Sequence, residues 1–207
     1  MFETLIPFLG AVFVFMIVPG TDMALIVASG AAYGKRGAFF ATLGVISGGA
    51  IWILATAALV AGATAIDPRM LEVLQFFGAM YLMYMAYATI RHRVTTTEPV
   101  VAPRRRNLFT RGFITNLSNP KCLVFFTSFL PQFVPDTASN PALYVLMLGA
   151  ILEVIGFAMN LMFGFAGSMF TGLNRVAFWG RSWSQWIMSA MFAGISVIFS
   201  HQIINDK

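Results

Sequence analysis

Long apolar runs separated by short polar stretches make up almost the whole chain. They fall near residues 5–32, 38–65, 70–91, 109–134, 142–170 and 183–203. Each is long enough to cross a bilayer as a helix, for which about 20 apolar residues suffice. The pattern predicts an all-α integral membrane protein with six transmembrane helices.

Two of the runs carry interruptions that a membrane helix does not ordinarily contain. In the first, Pro19-Gly20-Thr21-Asp22 follows Val12 to Val18 and precedes Met23-Ala24-Leu25-Ile26-Val27. In the fourth, Asn119-Pro120-Lys121 sits between Asn116-Leu117-Ser118 and Cys122-Leu123-Val124-Phe125-Phe126. Proline removes a backbone donor and clashes with the preceding turn, and glycine weakens a helix further. Such breaks are tolerated at membrane depth where the freed backbone groups line a protein-enclosed cavity. The spans are therefore expected to form two inverted three-helix repeats, residues 1–92 and 109–207, with broken helices in spans 1 and 4. The polar stretch 93–108, with Thr95-Thr96-Thr97-Glu98-Pro99 and Pro103, links them. An odd number of spans per repeat forces the second copy to insert upside down, and paired interruptions in corresponding halves point to a transporter's binding site.

The fifth run has a polar and small-residue face. Gly149, Glu153, Gly156, Asn160, Gly164 and Gly167 recur at steps of three and four, one stripe of a helix. Small residues let helices approach closely and polar ones bond across the seam. Gly149 and Gly156 are read as packing positions, and so are Gly44 and Gly48 of the second run. The Gly44/Gly48 register suits either an internal contact or a homodimer. Ser189, Ala193, Ser196 and Ser200 are read as packing positions as well. Tyr81, Tyr84 and Tyr87 are candidates for substrate contact or for the membrane interface, and Trp52, Trp179, Trp183 and Trp186 read as interface anchors.

Composition agrees with the pattern. Of 207 residues, 58% are hydrophobic and only 10% charged, against roughly 25% charged in soluble domains. Lipid must solvate much of this surface. The net charge of +5 does not imply nucleic acid, because the basic residues sort by loop. Lys35 and Arg36 follow the first run. Arg91, Arg93, Arg104, Arg105, Arg106 and Arg111 lie between the third and fourth, and Arg175 and Arg181 between the fifth and sixth. The alternate loops hold Arg69 and Lys207 against Glu3, Asp67, Glu72, Asp136 and Asp206. By the positive-inside rule the basic loops are cytoplasmic and both termini lie outside. Arg104-Arg105-Arg106 then reads as a run that sets topology and touches anionic membrane lipids. Glu3, with no basic residue ahead of the first run, predicts a retained helix rather than a cleaved signal.

Asp22 and Lys121 are the charged residues at the two breaks. As isolated ions in hydrocarbon each would cost at least ~2.5 kcal/mol. They either pair with each other or share a hydrated cavity with a substrate. In the second case Lys121 and freed N–H groups suit a carboxylate, and Asp22 and freed carbonyls suit an ammonium. Those are the poles of a zwitterionic amino acid. The candidate substrate-binding set is Pro19, Gly20, Asp22, Asn119, Pro120, Lys121 and Asn160. A coupling proton falls to Asp22 or to Glu153.

At these motifs the chain resembles the lysine exporter superfamily, and within it the homoserine/threonine exporter (RhtB) group of bacterial efflux proteins. The resemblance covers nearly the whole chain. It rests on Pro-Gly in the first span, Tyr33-Gly34 with Lys35-Arg36-Gly37, the Gly44/Gly48 pattern, Arg111-Gly112-Phe113, Asn119-Pro120-Lys121, Phe125-Phe126 and Phe129-Leu130-Pro131-Gln132-Phe133. It implies export of amino acids or related metabolites across the bacterial inner membrane, driven by protons. Two departures matter. Thr21 stands where the family often has a second proline, and Gly49 where many relatives carry Asp. The missing carboxylate shifts weight onto Asp22 and Glu153 and favours neutral over dibasic substrates.

Other classes find less support. A transporter of another solute, such as a metal cation, would want a ligand cluster. His92, His201 and the single Cys122 have no zinc-like spacing. An intramembrane enzyme could draw on Asp22, Lys121 and Glu153, but no Ser/His or paired-carboxylate motif and no cofactor fingerprint accompanies them.

Overall fold

A computed structural model describes residues 2–17, 20–67, 69–91, 107–135 and 137–169, together with Ala190. Pro19, most of the 93–108 linker, and the sixth run with its tryptophans and Ser189, Ala193, Ser196 and Ser200 lie outside the described residues. Among the described residues the elements are all helical. They are α1 (Phe2–Ile17), α2 (Thr21–Ile66), α3 (Met70–Arg91), α4 (Leu108–Leu117), α5 (Pro120–Val124) and α6 (Pro141–Met169). A π-helical turn (Phe125–Phe129) and a 3-10 turn (Leu130–Phe133) continue α5.

The 46 residues of α2 would run about 69 Å if straight, more than twice the hydrocarbon thickness. Gly34 resolves this. Its φ of 67° and ψ of −165° lie in a region open essentially to glycine alone, and the helix turns there. The break falls between the first two apolar runs, beside Lys35 and Arg36.

The segment from Pro120 to Phe133 lies at the centre of the core formed by the described residues. Phe125, Phe126, Phe129, Leu130 and Phe133 are buried, packed by Phe8, Val12 and Phe15 of α1, Ile53 and Val60 of α2, and Leu148 and Leu152 of α6. Phe15 stacks on Phe125 at 3.7 Å between centroids, Phe125 on Phe129 at 4.2 Å, and Phe8 meets Phe133 edge-on at 5.3 Å. Such ring pairs add roughly 0.5–1.5 kcal/mol each beyond area burial. The wider π-turn closes with Leu130 N–H on Phe125 O and is held from outside by Thr56 Oγ1, which donates to Phe126 O at 3.2 Å. At the far end, Gln75 and Gln132 lock α3 to the 3-10 turn. Gln75 Nε2 donates to Pro131 O at 3.1 Å, and Gln132 Nε2 to Gln75 O at 2.7 Å.

The glycine faces are filled from within the chain. At Gly44 a Cβ would overlap Phe109 O, and at Gly112 it would overlap Ala41 O, so α2 and α4 cross backbone against backbone. Along α6, Gly149 meets Ile53, Gly156 meets Met16, Gly164 meets Ala38, and Gly167 meets Val27. The stripe is thus an internal seam, mostly against α2.

Outside this core the surface is apolar. Leu54 of α2 and Val154 of α6 are 58% and 71% exposed, and both helices are long and apolar enough to cross a membrane. These features are consistent with an α-helical membrane protein. Tyr81, Tyr84 and Tyr87 lie exposed on α3. Trp52 departs from the expected interface anchor. It packs partly buried against the core, with its Nε1 enclosed and without a hydrogen-bond partner among the described residues.

Candidate functional site

The second break is written by its own residues. The residue before a proline is steered to extended backbone, and Asn119 sits at φ −80°, ψ 111°. α4 therefore closes at Ser118, whose N–H bonds Ile114 O at 2.9 Å. Pro120 then takes the first position of α5, where its missing N–H costs nothing. Asn119 caps the new helix, its Oδ1 accepting from Lys121 N at 3.0 Å. Asn119, Pro120 and Lys121 are thus cap, first and second residues of a helix.

The first break follows the same grammar. Gly20, in extended backbone at φ −136°, is the N-cap of α2, Thr21 is its first residue and Asp22 its second. Thr21 occupies the position that Pro120 occupies in α5. The two breaks touch: a Cβ on Gly20 would lie 3.5 Å from Lys121 Cδ and 4.0 Å from Asn119 Nδ2.

Each second residue reaches across to the helix that ends at the other break. Lys121 Nζ donates to Phe15 O at 2.7 Å and lies 4.2 Å from the centre of the Phe15 ring. Phe15 O belongs to the last turn of α1, whose carbonyls have no helical donors. Asp22 Oδ2 accepts from Asn116 Nδ2 of α4 at 2.9 Å and from Cys122 Sγ at 3.2 Å. Asp22 Oδ1 is buried and has no hydrogen-bond partner among the described residues.

These groups wall a narrow cavity of about 50 Å³. Gly20, Asp22, Asn119, Lys121, Glu153 and Asn160 all line it, together with Asn116, Cys122, Phe15 and Phe126. The sequence-derived candidates therefore converge, with two exceptions. Pro120 is exposed at the start of α5 and does not line the cavity, and Pro19 lies outside the described residues. Glu153 arrives from α6 because Gly49 leaves it room: its Oε1 occupies the place that a Cβ on Gly49 would take. Glu153 and Asp22 bring two carboxylates to the cavity, and Lys121 one ammonium.

Asn116 was not among the sequence-derived candidates. It is only 4% exposed, a polar side chain inside an apolar run, four residues beyond Gly112 and three before Asn119. That spacing places it on the face of α4 that meets α2, and it was the signal available. Among the described residues no group of His, Cys, Asp and Glu is arranged to hold a metal ion.

The chain matches the LysE type translocator family model over residues 13–202. It is similar to a leucine efflux protein of Salmonella typhimurium, 30% identical over 72% of this chain and 71% of the relative. A leucine efflux protein of Klebsiella pneumoniae is 30% identical over 78% and 77%. An uncharacterised membrane protein of Pseudomonas aeruginosa is 31% identical over 92% and 88%. No solved structure matches. A family match from Phe13 nearly to the end of the sequence, on a chain whose conspicuous motifs converge on one cavity, leaves one conclusion: this protein belongs to the LysE type translocator family.

Proposed function

We propose that the chain is a secondary active exporter of small, mainly neutral amino acids across the bacterial inner membrane, exchanging them for protons. The observation that carries this reading is the meeting of the two helix breaks at one cavity that holds both a cationic and an anionic side chain. Lys121 is suited to the substrate's carboxylate and Asp22 to its ammonium, while Glu153, which reaches the cavity from a different helix, is suited to the coupling proton. Relatives described as leucine efflux proteins support amino-acid export, and leucine is the natural first probe. The homoserine/threonine branch, the two-repeat arrangement, and cytoplasmic basic loops with both termini outside belong to the same reading. So does the absence of catalysis.

The cavity is narrow. About 50 Å³ has room for a water or two, at about 30 Å³ each in the liquid, but not for an amino acid. Transport then requires the two breaks to separate. One proton moving inward down 100 mV releases ~2.3 kcal/mol, enough for roughly fiftyfold accumulation of a neutral solute outside. The reading requires no second copy, since the glycine faces open to a dimer are filled within the chain.

Counterflow in proteoliposomes tests it. Labelled leucine is expected to exchange with wild type and to stop exchanging with Lys121→Ala and Asp22→Asn. Failure of folded wild type to exchange any amino acid from a panel would refute amino-acid export.

A further inference from the structure

Asp22 is fastened by one oxygen and open at the other. Asn116 and Cys122 both hold Oδ2, while Oδ1 is buried without a donor among the described residues. Asn116 faces it with its amide nitrogen, which donates to the carboxylate oxygen. That bond fixes the plane of the carboxylate, and with it the direction of Oδ1.

Asn116 itself is seated by Gly48. A Cβ on Gly48 would lie 2.8 Å from Asn116 Oδ1 and 2.9 Å from Asn116 Cβ. The second of these is the root of the side chain, so Asn116 could not move aside without moving α4. Gly44 and Gly112 bring α4 against α2 one turn earlier. Gly48 therefore does more than let two helices pack: it leaves the slot that the amide fills.

We propose that Asn116, seated in the slot at Gly48, is a positioning residue that fixes Asp22 so that its Oδ1 receives the primary ammonium of the transported molecule. This rests on the reading of the cavity as an amino-acid site and adds how the amine is recognised. The ligand class that follows is a molecule with a free, protonated amine. Asn116 acts through Asp22, and Gly48 acts through Asn116.

The test compares three competitors of labelled-leucine counterflow: leucine, its deaminated analogue 4-methylpentanoate, and N-acetylleucine. Wild type should discriminate leucine from both analogues. Asn116→Ala should weaken leucine at least about tenfold, the scale of a mis-set hydrogen bond to a charged group. It should leave the weak competition by 4-methylpentanoate within twofold, so that discrimination collapses. Gly48→Ala should do the same, and adding Asn116→Ala to it should cost less than a further twofold, since both changes disturb one contact. A merely structural role would lower the amount of folded transporter and weaken all competitors alike. The proposal is overturned if discrimination survives in either variant, or if the two losses multiply. Should Asn116→Ala yield no folded protein, Gly48→Ala decides alone. Amino-acid exchange by wild type with discrimination intact in the variants would sink this proposal and leave amino-acid export standing. No exchange by wild type would remove both.

Discussion

Asp22 and Lys121 occupy the same place in two different helices, and each is bonded to the helix that stops where the other starts. Asp22 is second in α2 and accepts from Asn116 near the end of α4 at 2.9 Å. Lys121 is second in α5 and donates to Phe15 O near the end of α1 at 2.7 Å. An acid and a base thus stitch the breaks together crosswise. Substrate poles that compete for these two side chains would loosen both stitches, which links occupancy of the cavity to separation of the breaks.

Lys121→Met keeps the aliphatic stem and removes the donor. Phe15 O then loses a charge-assisted bond worth about 1.5–3 kcal/mol, and the contact with the Phe15 ring loses its cation. The purified variant should melt at a lower temperature than wild type and show no leucine counterflow. An unchanged melting temperature would mean that the lysine does not hold α1.

Gly49→Ala places a methyl where Glu153 Oε1 sits. The carboxylate must withdraw, so this variant should copy Glu153→Gln. Both should retain leucine counterflow, which needs no net proton movement, and lose export driven by a pH gradient. Retention of gradient-driven export by Glu153→Gln would take the coupling role from this residue.

Gly34 and Gly62 separate backbone strain from crowding. Among the described residues neither has an atom from another part of the chain within 4 Å of where a Cβ would stand, but only Gly34 has a positive φ. Gly34→Ala should destabilise by about 1–3 kcal/mol. Gly62→Ala, inside a regular helix, should be neutral or stabilising by up to about 1 kcal/mol. Thermal melts of the two variants in detergent check the contrast.

Gly44→Ala tests the crossing of α2 and α4. The added methyl meets backbone at Phe109 and Phe113 rather than a movable side chain, so the helices must part. Overpacking of this kind costs about 1–3 kcal/mol. Leucine affinity should fall with stability, because Asn116 rides on α4. A melting temperature equal to wild type would mean that the seam is looser than the structure shows.

Much of this site could be read from the order of residues, because its grammar is local. Proline after Asn119 dictates where α4 stops and α5 starts, and the stripe of α6 dictates that Glu153 and Asn160 share a face. The partners across the breaks were not legible. Whether Lys121 meets Asp22, a substrate or a backbone carbonyl depends on which turn of α1 lies beside it, and no spacing in the sequence encodes that. The spacing of Asn116 from Gly112 carries its face, but not its role, which is set by Gly48, 68 positions away in the chain. The Gln75–Gln132 lock joins residues 57 positions apart, and nothing local to either glutamine encodes the other. Trp52 was misplaced because a tryptophan near the middle of an apolar run packs inward as readily as it anchors at an interface.

Cys122 lines the cavity and is the single cysteine of the chain, so a thiol reagent reports on this place without background. The measurement to make is the rate at which a small methanethiosulfonate labels Cys122 in proteoliposomes, with and without saturating leucine. Labelling should be slow at so narrow a cavity, and leucine should slow it severalfold further in wild type but not in Asp22→Asn. If an amino acid that the protein demonstrably exchanges leaves the labelling rate unchanged, the substrate does not sit where the two helix breaks meet.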